Sequence, residues 1–214
     1  MPAQRSPEPA RADSGAGAAS GQRERLSREQ IECAALAIVD ADGLTGLTMR
    51  RLGRELGVEA MAIYHYLPNK AALLDAVAAR IAEHAYPNPG PDADWRAALR
   101  VLATSLRAAL LQHPRAMPLM ATRPLSPETG MRLVEPVLPL LLEAGFREDR
   151  AFLAIQSVGV YTIGHALAQT GGDPAADTDD EPAIGEDSGS SAYYDEWFHV
   201  GLDAMVTGLA PRHH

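Results

Sequence analysis

Apolar residues recur at helical spacing through most of the chain, and the punctuation between the runs is that of helix ends. Residues 27–41 predict a first helix. Ser27 followed by Gln30 is a capping box, Ile31, Ala34, Ala35 and Ile38 form its inner face, and Asp42-Gly43 ends it. Thr48 is placed to cap a second helix in which Met49, Leu52 and Leu56 make one apolar stripe, while Arg50, Arg51 and Arg54 lie off it. Gly57 follows directly and supplies a left-handed stop. Val58 plugs the core under the turn. A short third helix spans 60–66, with Ile63 inward and Ala62, Tyr64, His65 and Tyr66 on the outer surface. Pro68 stops it, and Asn69 caps a fourth helix over 71–86 with Leu73, Leu74 and Val77 apolar.

Beyond a Pro-rich loop at 87–91, the pattern predicts helices over 95–112, a turn of helix at 117–121, and helices over 128–144, 149–169 and 192–208. Leu99, Leu102, Leu106 and Leu110 face inward on the first of these. Pro136 and Pro139 bend the 128–144 helix. The last two helices carry more apolar surface than one side can bury. They are read as a homodimer interface, a four-helix bundle across a two-fold axis. The fold class is therefore all-α. Three N-terminal helices within 26–70 form one unit, and 71–214 form a helical ligand-binding and dimerisation domain. Residues 1–25, rich in Pro, Ala, Gly and Ser, are expected to be a disordered tail, and 171–190, with seven acids and no base, a mobile acidic loop.

Charge changes the picture through its distribution. The 214 residues carry a net charge of −9, yet residues 1–80 are balanced at ten basic and ten acidic side chains, so the acidity lies in the C-terminal body. Such a body does not prevent the N-terminal unit from meeting phosphate. Cys33 is the one cysteine, which excludes a disulfide within the chain, and it is expected to be a buried structural thiol. Residues 1–22 lack the apolar core of a signal peptide, and no run is expected to span a membrane, so the expected location is cytoplasmic. No GxSxG, HExxH, P-loop or GxGxxG motif is present. The reading is therefore not an enzyme, with no catalytic residue, no metal ligand and no cofactor.

The most specific chemistry lies in residues 44–70, LTGLTMRRLGRELGVEAMAIYHYLPNK. Two short helices around a tight turn, the second ending in aromatics, are the pattern of a helix-turn-helix, whose second helix enters the major groove of DNA. Hydroxyl and imidazole groups on an exposed short helix suit phosphates and base edges better than bulk solvent. Through GLTGLTMRRLGRELGV and AIYHYLPNKAALLDA the chain resembles the tetracycline-repressor (TetR) family of bacterial regulators. ATRPLSPETG, LLLEAGF and SVGVYTIG extend the likeness to the regulatory domain of the tetracycline repressor branch, over about 27–208. The resemblance implies DNA contacts at Thr48, Arg50, Ala60, Met61, Ala62, Tyr64, His65, Tyr66 and Lys70. Of these, Ala60, Met61 and Ala62 would face bases, and Tyr64, Tyr66 and Lys70 phosphates. Lys70 is the only lysine, against 18 arginines.

The resemblance also breaks in an informative place. The family's histidine and glutamate that hold a drug–magnesium chelate fall here on Leu119 and Ala168, and its drug-contacting Asn, Phe and Gln fall near Leu102, Leu106 and Val137. Thr122 alone is kept. A divalent ion needs oxygen ligands, so a more apolar effector is expected. The candidate pocket residues are Tyr86, Leu102, Leu106, Met117, Met120, Thr122, Val137, Tyr161 and His165. The sequence thus predicts a ligand-responsive repressor that leaves a palindromic double-stranded DNA operator when a small molecule binds. The alternatives are an activator of the same family and a helical interaction protein that has lost DNA binding, which Ala60 and Ala62 suggest because they offer only methyl contacts to thymine.

Overall fold

The computed structural model describes residues 26–171 and 190–210, and its described residues are helical with no strand. The expectations for the tail at 1–25 and for nearly all of the acidic segment 171–190 fall outside the described residues. The helices are α1 (Arg28–Gly46), α2 (Met49–Leu56), α3 (Ala60–Tyr64), α4 (Lys70–Glu83), α5 (Trp95–Gln112), α6 (Met117–Thr122), α7 (Pro127–Val134), α8 (Leu138–Glu143), α9 (Glu148–Gln169) and α10 (Ser191–Gly208). A 3-10 turn, Pro114–Ala116, leads into α6.

Local chemistry sets most boundaries. The Ser27 hydroxyl accepts from the Gln30 amide at 3.1 Å while the Gln30 side chain accepts from the Ser27 amide at 2.8 Å, which closes the capping box of α1. Asn69 Oδ1 accepts from the Ala72 amide at 2.8 Å and starts α4. Asp94 does the same for α5. Besides the end of α3, three boundaries differ from expectation. First, α1 does not end at Asp42-Gly43. Gly43 takes φ of 71°, kinks the helix, and the chain re-enters helical geometry up to Gly46. Second, α4 stops at Glu83, which leaves Tyr86 in the following loop. Third, the segment 128–144 is two helices and not one bent one, because Pro136 removes an amide donor at the break and Pro139 suits the first turn of α8.

A single apolar core runs through the described chain, and α4 is where its two halves join. Leu73, Val77 and Ile81 are fully buried, with α1 on one side and α5, α6 and α7 on the other. Polar ties reinforce that junction. Arg80 reaches Glu29 of α1 at 3.5 Å, and Arg123 pairs with Asp75 of α4 at 2.5 Å. His113 meets the Asp40 carboxylate at 3.0 Å, and Arg115 donates to the Asp40 and Ala41 carbonyls.

In the C-terminal half α5 lies along α9, and α10 packs on both. By length and composition α9 is apolar enough to cross a membrane, contrary to the sequence expectation, but Ala151, Ile155, Val158 and Ala166 on it are buried in the core. Arg107 of α5 fastens the three helices. One terminal nitrogen donates to Gln169 Oε1 and to Asp195 Oδ1, each at 2.6 Å, and the guanidinium sits 4.7 Å from the Phe198 ring centre. Beside it His165 is buried against Tyr161, Tyr194, Trp197 and Phe198, and neither ring nitrogen has a partner among the described residues. Gly201 lets Tyr161 cross α10 so that its hydroxyl donates to the Phe198 carbonyl at 2.9 Å. A Cβ at that glycine would stand 2.9 Å from Tyr161 Cζ, closer than side chains tolerate.

Burial, and secondarily the neighbouring Arg107 cation, holds the His165 imidazole below its ordinary pKa, with Asp195 opposing. A histidine whose folded pKa is depressed takes up its proton more readily in the unfolded chain. Stability is therefore expected to fall as the pH drops below about 6.5, the ordinary histidine value. Urea midpoints measured between pH 7.5 and 5 should show that decline in the wild type and a shallower one in His165→Phe.

Candidate nucleic-acid interface

The turn between α2 and α3 is built by two glycines. Gly57 ends α2 in the left-handed conformation, φ 64° and ψ 30°, and its amide donates to the carbonyls of Gly53 and Arg54. The Val58 amide then donates to the Gly53 carbonyl at 2.9 Å. A Cβ on Gly53 would lie 2.8 Å from the Val58 carbonyl oxygen, so only glycine allows the turn to fold this closely over α2. The Thr48 hydroxyl accepts from the Arg51 amide at 3.1 Å and caps α2, as its sequence position predicts. Leu47, Leu52, Ile63 and Leu67 are buried beneath the turn and fix α3 to the domain.

The opposite face of α3 is open. Met61, Tyr64 and His65, spaced three and four residues apart, share it and are exposed, and Ala60 and Ala62 flank them half-buried. Arg50 on α2 and Lys70 at the start of α4 are exposed, and among the described residues neither makes an ion pair. Arg51 is engaged by Asp42 at 2.7 Å. Tyr66 is also held from within the protein. It lies just past α3, which ends at Tyr64 and not at 66. It is exposed, yet its hydroxyl donates to the Leu26 carbonyl at 2.5 Å and ties the end of the recognition segment to the start of α1. Sequence reasoning missed this tie because the partner is a backbone group 40 residues away.

Cys33 is exposed, so the expectation of a buried thiol is corrected. It lies two residues beyond Ile31, nearly opposite the buried stripe of Ile31, Ala35 and Ile38.

The candidate pocket residues are scattered in environment. Leu102, Leu106, Met117, Met120, Val137 and His165 are buried, Tyr161 is half-buried, and Thr122 is exposed with its hydroxyl donating to the Pro118 carbonyl at 2.6 Å. Leu119, at the position of the family's metal-binding histidine, is buried, and Ala168 is exposed. Among the described residues no three His, Cys, Asp or Glu side chains converge as a metal site would require. A polar cleft of about 800 Å³ opens between α1, α4 and α7, lined by Arg28, Glu32, Asp75, Arg80, Tyr86 and Arg132 among others. Tyr86 is the one pocket candidate on its wall.

A glycine-built turn, an anchored short helix with an open face and exposed cations on the helices before and after it define a helix-turn-helix DNA-binding regulator. Comparison with known proteins agrees. Residues 33–77 match the model of bacterial regulatory proteins of the tetR family, and 87–212 match the tetracyclin repressor-like C-terminal domain. The tetracycline repressor protein class A from transposon 1721 of Escherichia coli is 36% identical over 201 residues, 88% of this chain and 92% of that protein. The transcriptional repressor DrrR1 of Streptomyces coeruleorubidus is 34% identical over 73% of this chain, which spans only 58% of that longer protein. Among solved structures, TetR-Q116A from Acinetobacter baumannii AYE in complex with minocycline superposes with a TM-score of 0.71 at 29% identity, over 88% of this chain and all of that one. BioQ with its double-stranded DNA operator gives 0.63 at 29% identity, over 87% and 99%. The chain belongs to the tetR family and is a ligand-responsive, DNA-binding transcriptional repressor.

Changing Gly53 to Ala should force the Val58 carbonyl and α3 away from α2, at a cost of about 1–3 kcal/mol. Thermal melts and operator affinity should both fall. Gly130→Ala, where a Cβ meets nothing within 4 Å, should leave both unchanged.

Proposed function

We propose that the protein works as a homodimer whose two α3 helices dock in successive major grooves of a near-palindromic operator, about 34–36 Å apart. The observation that carries this reading is the open face of α3. Its outward groups are Met61, Tyr64 and His65, and Arg50 of α2 and Lys70 of α4 are exposed as well. Ala60, Met61 and Ala62 meet bases. Tyr64, Tyr66 and Lys70 meet phosphates, His65 meets bases or backbone, Arg50 meets base or phosphate, and Thr48 supports them by capping α2.

Dimerisation is supported by a second stripe. Leu153, Val160 and Leu167 repeat every seven residues on α9 and are exposed, and Tyr193, Trp197 and Val200 are exposed on α10. Val160 at 72% exposure makes poor sense on a monomer in water. Pairing both helices across a two-fold axis covers the stripe and spaces the reading heads.

The effector is small and apolar. Leu102, Leu106, Met117, Met120, Leu119 and Val137 present no oxygen ligand to a metal chelate. Binding favours a conformer with wrongly spaced α3 helices, and α4, buried against both halves, transmits the difference. The protein acts in the cytoplasm, by binding and without catalysis.

Lys70→Ala should weaken binding to the DNA upstream of the protein's own gene and lower the slope of log affinity against log salt by about one, measured by fluorescence anisotropy. An unchanged slope would remove the phosphate contact. Tetracycline with magnesium, added to the same complex, should leave the anisotropy unaltered.

A further inference from the structure

We infer that Met61 is the specificity-determining residue of α3, and that what it reads is the 5-methyl group of a thymine. The inference rests on the DNA-binding reading and adds the chemistry of recognition. Met61 is 69% exposed, more than any other large apolar residue in the DNA-binding unit. It shares the open face with Tyr64 and His65, and Ile63 on the other face is fully buried, so Met61 cannot turn inward without dismantling the anchor of α3. Its neighbours Ala60 and Ala62 are short and half-buried, so Met61 projects beyond both.

The side chain has no donor, and its thioether is a weak acceptor, so it cannot form the paired hydrogen bonds by which Arg selects guanine or Gln selects adenine. The one apolar feature that base pairs offer in the major groove is the thymine methyl. Burying that methyl against the flexible Met61 side chain removes apolar surface of both from water. Polar groups remain for other tasks. Tyr64, His65, Arg50 and Lys70 position the duplex, and Met61 selects within it.

The test begins with an operator selected by the full-length protein from a random duplex pool. Each thymine in a half-site is then replaced, one at a time, by deoxyuridine, which deletes only the methyl. Affinity is read by fluorescence anisotropy at fixed salt. One symmetry-related thymine per half-site should prove sensitive, and its replacement should weaken wild-type binding about three- to five-fold, the scale of one lost methyl contact. Met61→Ala, with an unchanged melting temperature, should bind the thymine and uracil duplexes within experimental error of each other at that position. Met61→Gln should reselect adenine there, through the two hydrogen bonds a glutamine makes. The inference is overturned if no uracil replacement matters, or if Met61→Ala keeps the full sensitivity. Failure to select any sequence from the pool overturns the DNA-binding reading itself, which separates the two.

Discussion

Everything in this molecule depends on the burial of one helix on both of its sides. Leu73, Val77 and Ile81 of α4 sit in the same apolar core as Ile31 and Ile38 of α1 and as Leu99 and Leu102 of α5. A domain of 45 residues would bury little by itself and would be marginal alone. Sharing α4 gives the reading head the stability of the larger body. It also means that neither half can rearrange without the other feeling it. The ionic ties around the junction are partly solvated, so each adds little energy. Their contribution is to fix orientation.

The reading head itself is held by backbone geometry more than by side-chain attraction. The close approach at Gly53 and the left-handed Gly57 set the angle between α2 and α3. Leu52, Ile63 and Leu67 then hold that angle from below. A five-residue helix has no independent stability. Its outward side chains can therefore be chosen for what they touch, because nothing about the fold requires them. Met61 illustrates the freedom: it contributes nothing to the core and pays no part in the caps.

How much was legible in the sequence follows from the range of the forces involved. The caps at Ser27, Thr48 and Asn69 and the stop at Gly57 are decided within four residues, and each stands where the pattern put it. The kink at Gly43 was not legible. A glycine can end a helix or redirect it, and here Leu44 and Leu47 pull the chain back over the core. Cys33 was misjudged because a residue type commonly buried was weighed above its angular position on α1. The tie from Tyr66 to Leu26 and the clasp of Arg107 across α5, α9 and α10 are long-range hydrogen bonds, and no local pattern announces them. The pocket candidates are the least legible of all, since core packing and ligand lining draw on the same apolar residues.

The chain holds one thiol and one ε-amine, Cys33 and Lys70, and both are exposed on or beside the DNA-binding unit. A thiol reagent therefore modifies a single side chain, an amine reagent a single ε-amine besides the chain's α-amino group, and the side chains of the effector domain stay chemically silent. A dye on the thiol would report on the reading head without a background from the rest of the molecule. Protection of the amine by a bound duplex would distinguish a docked head from a free one in unmodified protein.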